Sequence, residues 1–116
     1  MWDRAKRHDT REALFGGRRA VRVWDLLGAR PLAPFAAALA CELEPGGAVG
    51  AHVQEHFPEV VLVVEGAGRA WVSGVERALS PGSAVSLPLG ETLAIENGSD
   101  DAPLRYLIVK AALSAG

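Results

Sequence analysis

Glycine and proline punctuate this chain so densely that no long helix fits between them. Breaks fall at Pro31 and Pro34, Pro45-Gly46-Gly47, Pro58, Gly66-Ala67-Gly68, Gly74, Ser80-Pro81-Gly82 and across residues 98–103. Proline fixes φ and removes an amide donor, and glycine supplies the backbone angles that tight turns need. Between the breaks, apolar and polar residues alternate, or β-branched residues cluster, as in strands. Strands are expected over residues 19–27, 35–44, 50–57, 59–65, 69–73, 76–79, 84–87, 92–96 and 104–111. The run Glu-Val-Val-Leu-Val-Val-Glu at 59–65 carries the strongest strand signal, because branched side chains pack well on a pleated surface. Residues 1–18 read as an irregular arm, with Asp9 or Thr10 capping a short helical turn and Gly16-Gly17 ending it. No segment after residue 18 has the length and period of a crossover helix, so a parallel α/β fold is excluded. The expectation is an all-β sandwich or barrel of about eight to ten short strands. It comprises an arm over residues 1–18 and one barrel domain over 19–116, with no internal repeat or linker.

Composition narrows the class. The 116 residues are 49% hydrophobic and 22% charged, a globular mix that supports one core. The formal charge of −2 argues against nucleic acid as a partner. Arg4, Lys6, Arg7, Arg11, Arg18 and Arg19 nevertheless make the first residues locally basic, which reads as a solvated arm or a phosphate- or partner-binding one. Cys41 is the single cysteine, so no intrachain disulfide forms, and a reducing cytoplasmic location is expected. Cys41 itself reads as a small buried apolar residue. No apolar run approaches the ~20 residues that cross a bilayer, and the charged start is unlike a secretory leader.

The chemistry-bearing residues concentrate between Gly46 and Gly66. His52, Gln54 and His56 take alternate positions on one expected strand and so share a face. At a rise of about 3.3 Å per residue, His52 and Gln54 lie about 6.6 Å apart, close enough to converge on one ion. His56 lies roughly 13 Å from His52 on a straight strand, too far to join them without a bend at Phe57-Pro58. Glu59 opens the next strand, which can run back and bring its carboxylate alongside. One imidazole, one amide oxygen and one carboxylate make a mixed set suited to Zn, Mn, Fe, Ni or Co. Without a metal, His52 and Glu59 make a pair able to act as base and acid, or a polar pair satisfied inside the barrel. Glu59, Val61 and Val63 share one face of their strand, and Val60, Leu62 and Val64 share the other. Both faces are apolar, so the outer one is expected to be covered by a second sheet or a second subunit.

The spacing of these residues resembles the cupin superfamily of small jelly-roll barrels. Its first motif, G-x5-H-x-H-x(3,4)-E-x6-G, is met by Gly46, His52, Gln54, Glu59 and Gly66, with Gln54 in place of the second histidine. Its second motif, G-x5-P-x-G-x2-H-x3-N, is met by Gly82, Pro88, Gly90, Leu93 and Asn97, with Leu93 in place of the histidine. The resemblance implies a double-stranded β-helix barrel, commonly dimeric, with a divalent metal and a small-molecule ligand at its mouth. Residue by residue it carries over His52 and Glu59 as metal ligands, with Gln54 a substitute. His56 is a further substitute, or with Glu59 a carrier of protons. It implies dioxygenase, isomerase or lyase chemistry for an enzyme. A metal-free ligand-binding or sensor barrel, or a structural dimerisation module, is implied where the metal has been lost.

Overall fold

The computed structural model describes residues 1–113. Ten strands follow in order: β1 (Asp9–Glu12), β2 (Ala20–Asp25), β3 (Phe35–Leu43), β4 (Ala48–Val53), β5 (Glu59–Glu65), β6 (Gly68–Val72), β7 (Val75–Leu79), β8 (Ala84–Leu87), β9 (Thr92–Asn97) and β10 (Leu104–Ala111). They form two antiparallel sheets. The larger has the order β1-β2-β3-β10-β5-β8 and the smaller β4-β9-β6-β7. Their inner faces pack a shared core, with Val21, Leu43, Val61 and Tyr106 on one side and Val49, Ile95, Ala70 and Leu79 on the other. This is the jelly-roll barrel that the motif spacing implies. Among the described residues, no helix is long and apolar enough to cross a membrane.

Two strands differ from expectation in ways that shape the site. The segment expected as a strand over 50–57 ends at Val53, and Gln54 to Pro58 forms a loop. The backbone of Gln54 is pinned there by its own N–H to the Glu91 carbonyl and by the Gly90 N–H to its carbonyl. The chain also bulges within β4. Val49 lies opposite Ile95 and His52 opposite Leu93, so Gly50 and Ala51 on β4 face the single Ala94 on β9. Positions 49 and 52 would point to opposite faces of a regular strand; the bulge puts both on the inner face.

The arm is more ordered than the sequence indicates. The expected helical turn at Asp9 is instead edge strand β1, paired along its length with β2. A 3-10 turn at Leu14–Gly16 follows, and residues 13, 15, 16 and 19 all have left-handed φ. It lies so close to β4 that a Cβ on Gly17 would overlap the Ala48 carbonyl, and one on Gly50 the Phe15 carbonyl. Only glycine permits that approach.

The first residues lie against the larger sheet. Arg22, Glu42, Arg105 and Glu65 stand in register across β2, β3, β10 and β5, a row of alternating charge on the outer face. Arg105 donates from Nε to Glu42 at 2.8 Å and from Nη1 to Glu65 at 2.6 Å. Arg4 completes the row from the arm, donating to Glu42 at 2.7 Å. Nearby, the Trp2 indole donates to the Cys41 carbonyl at 2.9 Å and the Trp24 indole to the Asp3 carbonyl at 2.9 Å. The Glu42 side chain is thereby fully buried. Burial alone would raise its carboxyl, but the bonds from Arg105 and Arg4 outweigh burial and hold it below the usual carboxylate range. Arg4 of the basic arm is thus tied to Glu42, while most of its side chain stays exposed.

At one end of the barrel, Asn97 ties a turn together through its side chain. Its amide donates toward the carbonyls of Leu43, Glu44 and Ala102 at 3.1, 3.1 and 2.9 Å, and its oxygen accepts from the Ser99 N–H at 2.9 Å.

Replacing Glu42 by Gln removes the charge that three arginines converge on. The expected cost is about 2 kcal/mol at neutral pH, measured by urea unfolding. Because the native carboxyl titrates lower than the unfolded one, the wild-type advantage should shrink as pH falls below about 4.

Candidate functional site

At the other end, the two sheets enclose a lumen of about 160 Å³. Most of its wall is apolar, with Val21, Val23, Leu39, Val49, Leu93, Ile95 and Ile108 contributing. Four groups able to carry polar chemistry also reach it: His52, Glu59, Tyr106 and Lys110. The lumen leads into a wider cleft of about 700 Å³ at the mouth, lined by Gln54, Glu55, His56 and Phe57. Phe15, Leu39, His52 and Lys110 border both spaces.

Each polar group is placed by strand alternation. Glu59 is the first residue of β5, in phase with the buried Val61 and Val63, and so points inward. Only 4% of it is exposed, and its Oε2 has no hydrogen-bond partner. Burial pushes the carboxyl above its ordinary range, and the charge of Lys110 and the proximity of His52 offset this only in part. Lys110 lies directly across from Glu59 on β10, in phase with Tyr106 and Ile108. Among the described residues it makes no ion pair within 4.0 Å. His52 is turned inward by the bulge. Its Nδ1 lies 3.0 Å from the Gly50 carbonyl, and its ring stacks on Phe15 at a centroid distance of 4.1 Å and an interplanar angle of 12°. An Nδ1–H donated to that carbonyl leaves Nε2 as an acceptor. Burial pushes the Cys41 thiol up to about 12, so it behaves as the apolar core residue expected of it.

Gln54 and His56 part company with this group. Gln54 is 4% exposed and lines the mouth cleft, where its Nε2 has no partner. The strand ends before it, so it is carried by the loop and not by β4. His56 follows in the same loop with an 82% exposed side chain, 4.0 Å from Glu55. It faces solvent, because the chain turns away before the strand expected to carry it is complete. The structure therefore brings His52 and Glu59 to one lumen, sets Gln54 at its mouth and leaves His56 outside. The sequence reading missed Lys110 and Phe15. Lys110 was legible as a charged residue in phase with inward-facing Leu104, Tyr106 and Ile108. Nothing in the sequence placed Phe15.

The cupin domain model matches residues 39–110, more than half of the chain. The chain belongs to the cupin family. Among solved structures, it is similar to a predicted oxalate decarboxylase from Thermotoga maritima, at 24% identity over 91% of this chain and 92% of that one, with a TM-score of 0.84. It is similar to KdgF from a Halomonas species, at 20% identity over 91% and 90%, with a TM-score of 0.67. A third likeness is to a sugar phosphate isomerase of the cupin superfamily from Silicibacter pomeroyi, at 27% identity over 80% of this chain and 60% of that one, TM-score 0.67. No curated protein matches the chain.

Within the cupin frame, the metal question turns on the donors present. Leu93, where the second motif has histidine, lies in register with His52 and is almost wholly buried. An aliphatic side chain donates nothing to a cation. Gln54 borders the cleft and Glu59 the lumen, so only His52 addresses both spaces. Among the described residues, no three His, Cys, Asp or Glu side chains group as a metal site. His52 and Glu59 remain of the family's donors, and Gln54 and Leu93 stand where its other two histidines would be.

Replacing Glu59 by Gln removes a buried carboxyl that lacks a partner. The native state holds that proton more tightly than the unfolded chain, so wild-type stability should fall as pH rises above about 4.5. The variant should lack this slope and be more stable by about 1 kcal/mol at neutral pH, read from melting curves across pH.

Proposed function

We propose that this cupin binds a small organic molecule in its lumen without a metal, acting as a ligand-binding or sensor barrel. The observation that carries the reading is the mostly apolar lumen, open at the mouth, that the buried Glu59 lines with an unpartnered carboxyl oxygen. Such a space favours a ligand whose apolar body fills it and whose few polar atoms meet fixed partners. Glu59 and His52 supply those partners inside, and Gln54 supplies one at the mouth. His56, outside the lumen, has no part in this reading.

A metal bound by His52, Gln54 and Glu59 is the second reading, favoured by the same unpartnered Glu59 Oε2 and by a His52 Nε2 that is an acceptor when Nδ1–H is donated to Gly50. The two are separated by metal analysis of the full chain after incubation with Zn, Mn, Fe, Ni and Co. The expected result is no stoichiometric metal, with a panel of small alcohols, amides, acids and amines still giving saturable NMR shifts at lumen residues after chelation. Stoichiometric metal that disappears in His52→Ala would overturn the metal-free reading.

A homodimer is part of the proposal. Val60, Leu62 and Val64 form an exposed aliphatic row on the outer face of β5, beyond the area near the arm. Light scattering should give twice the chain mass, and Leu62→Lys should return the monomer.

A further inference from the structure

Two buried polar atoms in the described chain have no partner: Gln54 Nε2 and Glu59 Oε2. They are of opposite kind. An amide nitrogen needs an acceptor, and a carboxylate oxygen needs a donor. They also lie at different depths, Gln54 at the mouth and Glu59 in the lumen. Leaving either buried and unmet is costly, so each marks where a ligand's complementary atom would be favoured. Lys110, across from Glu59 on β10, borders both spaces and has no ion-pair partner within 4.0 Å among the described residues. It is the one cation on the lumen wall.

We propose that the ligand is a short aliphatic hydroxycarboxylate, its carboxylate held at the mouth by Lys110 and Gln54 Nε2 and its hydroxyl donated to Glu59 in the lumen. The assignment rests on the lumen-binding reading above and names the ligand class for it. The carboxylate supplies the acceptor that Gln54 lacks and the anion that Lys110 lacks. The hydroxyl supplies the donor that Glu59 lacks. The aliphatic body lies against Leu39, Leu93, Ile95 and Ile108. Size sets the upper limit. A cavity of about 150 Å³ holds a molecule of benzene's size. The lumen, at about 160 Å³, therefore takes an aliphatic body of about six non-hydrogen atoms, with the carboxylate in the wider cleft. A dicarboxylate is disfavoured, because its second charge would enter an apolar space beside Glu59.

The test is calorimetric titration of the chelator-treated full chain with 3-hydroxybutyrate, butyrate and 1,3-butanediol. The hydroxy acid should bind at least tenfold more tightly than butyrate, which lacks the hydroxyl, and than the diol, which lacks the carboxylate. Lys110→Met keeps the aliphatic stem and should bring hydroxybutyrate down to the diol's affinity while leaving the diol unchanged. Glu59→Leu should erase the advantage of hydroxybutyrate over butyrate. Melting curves of both variants establish that they are folded. Equal binding of all three compounds, unchanged in Lys110→Met, would overturn the hydroxycarboxylate assignment and leave lumen binding intact. Binding of none of the three overturns the assignment as well. The lumen-binding reading falls only when the wider panel of alcohols, amides, acids and amines also gives no shift.

Discussion

The bulge in β4 is the constraint on which the site depends. A strand alternates its side chains, so Val49 and His52 cannot both enter a barrel from a regular β4. The extra residue at Gly50-Ala51 reverses the phase and turns His52 inward opposite Leu93. The same bulge sets Gly50 against the Phe15 carbonyl, where a side chain would not fit. One irregularity thus turns the imidazole inward, brings the 3-10 turn onto the strand and lets Phe15 stack on that imidazole at the rim. Without it, the lumen would keep Glu59 and Lys110 but lose the aromatic pair that borders its opening.

Much of the fold was legible because strand and turn chemistry are local. β5 and β8 fall on the expected residues, and β10 does as well, since alternation and flanking turn residues mark each end. The arm was not legible, because pairing between β1 and β2 rests on a register that no local pattern encodes. The charge row was hidden for the same reason. Arg22, Glu42, Arg105 and Glu65 are scattered in sequence and meet only once four strands are aligned.

The site was legible in part. The cupin spacing located His52, Glu59 and Leu93, and the geometry sets Leu93 opposite His52. Gln54 and His56 were placed by extending β4 too far. The strand stops at Val53 because the next backbone groups are taken by Gly90 and Glu91, which pull the chain into a loop. An amide that reads as a ligand beside His52 on paper becomes a rim group facing the cleft. The family frame and the physical frame agree on the barrel and diverge on the metal, since a leucine in register with the histidine gives a wall and not a ligand.

The buried Glu42 has a consequence for how this protein comes apart. Its carboxylate is hydrogen-bonded on one oxygen by Arg4 of the arm and on the other by Arg105 of β10. Peeling away the first residues would strip half of that pairing from a charge that has little access to solvent, while also freeing two indole N–H bonds. Such an opening is costly before any barrel strand has moved. The first four residues are therefore tied to β2, β3 and β10 by bonds that must break together, and their release uncovers a charge the sheet otherwise keeps from water.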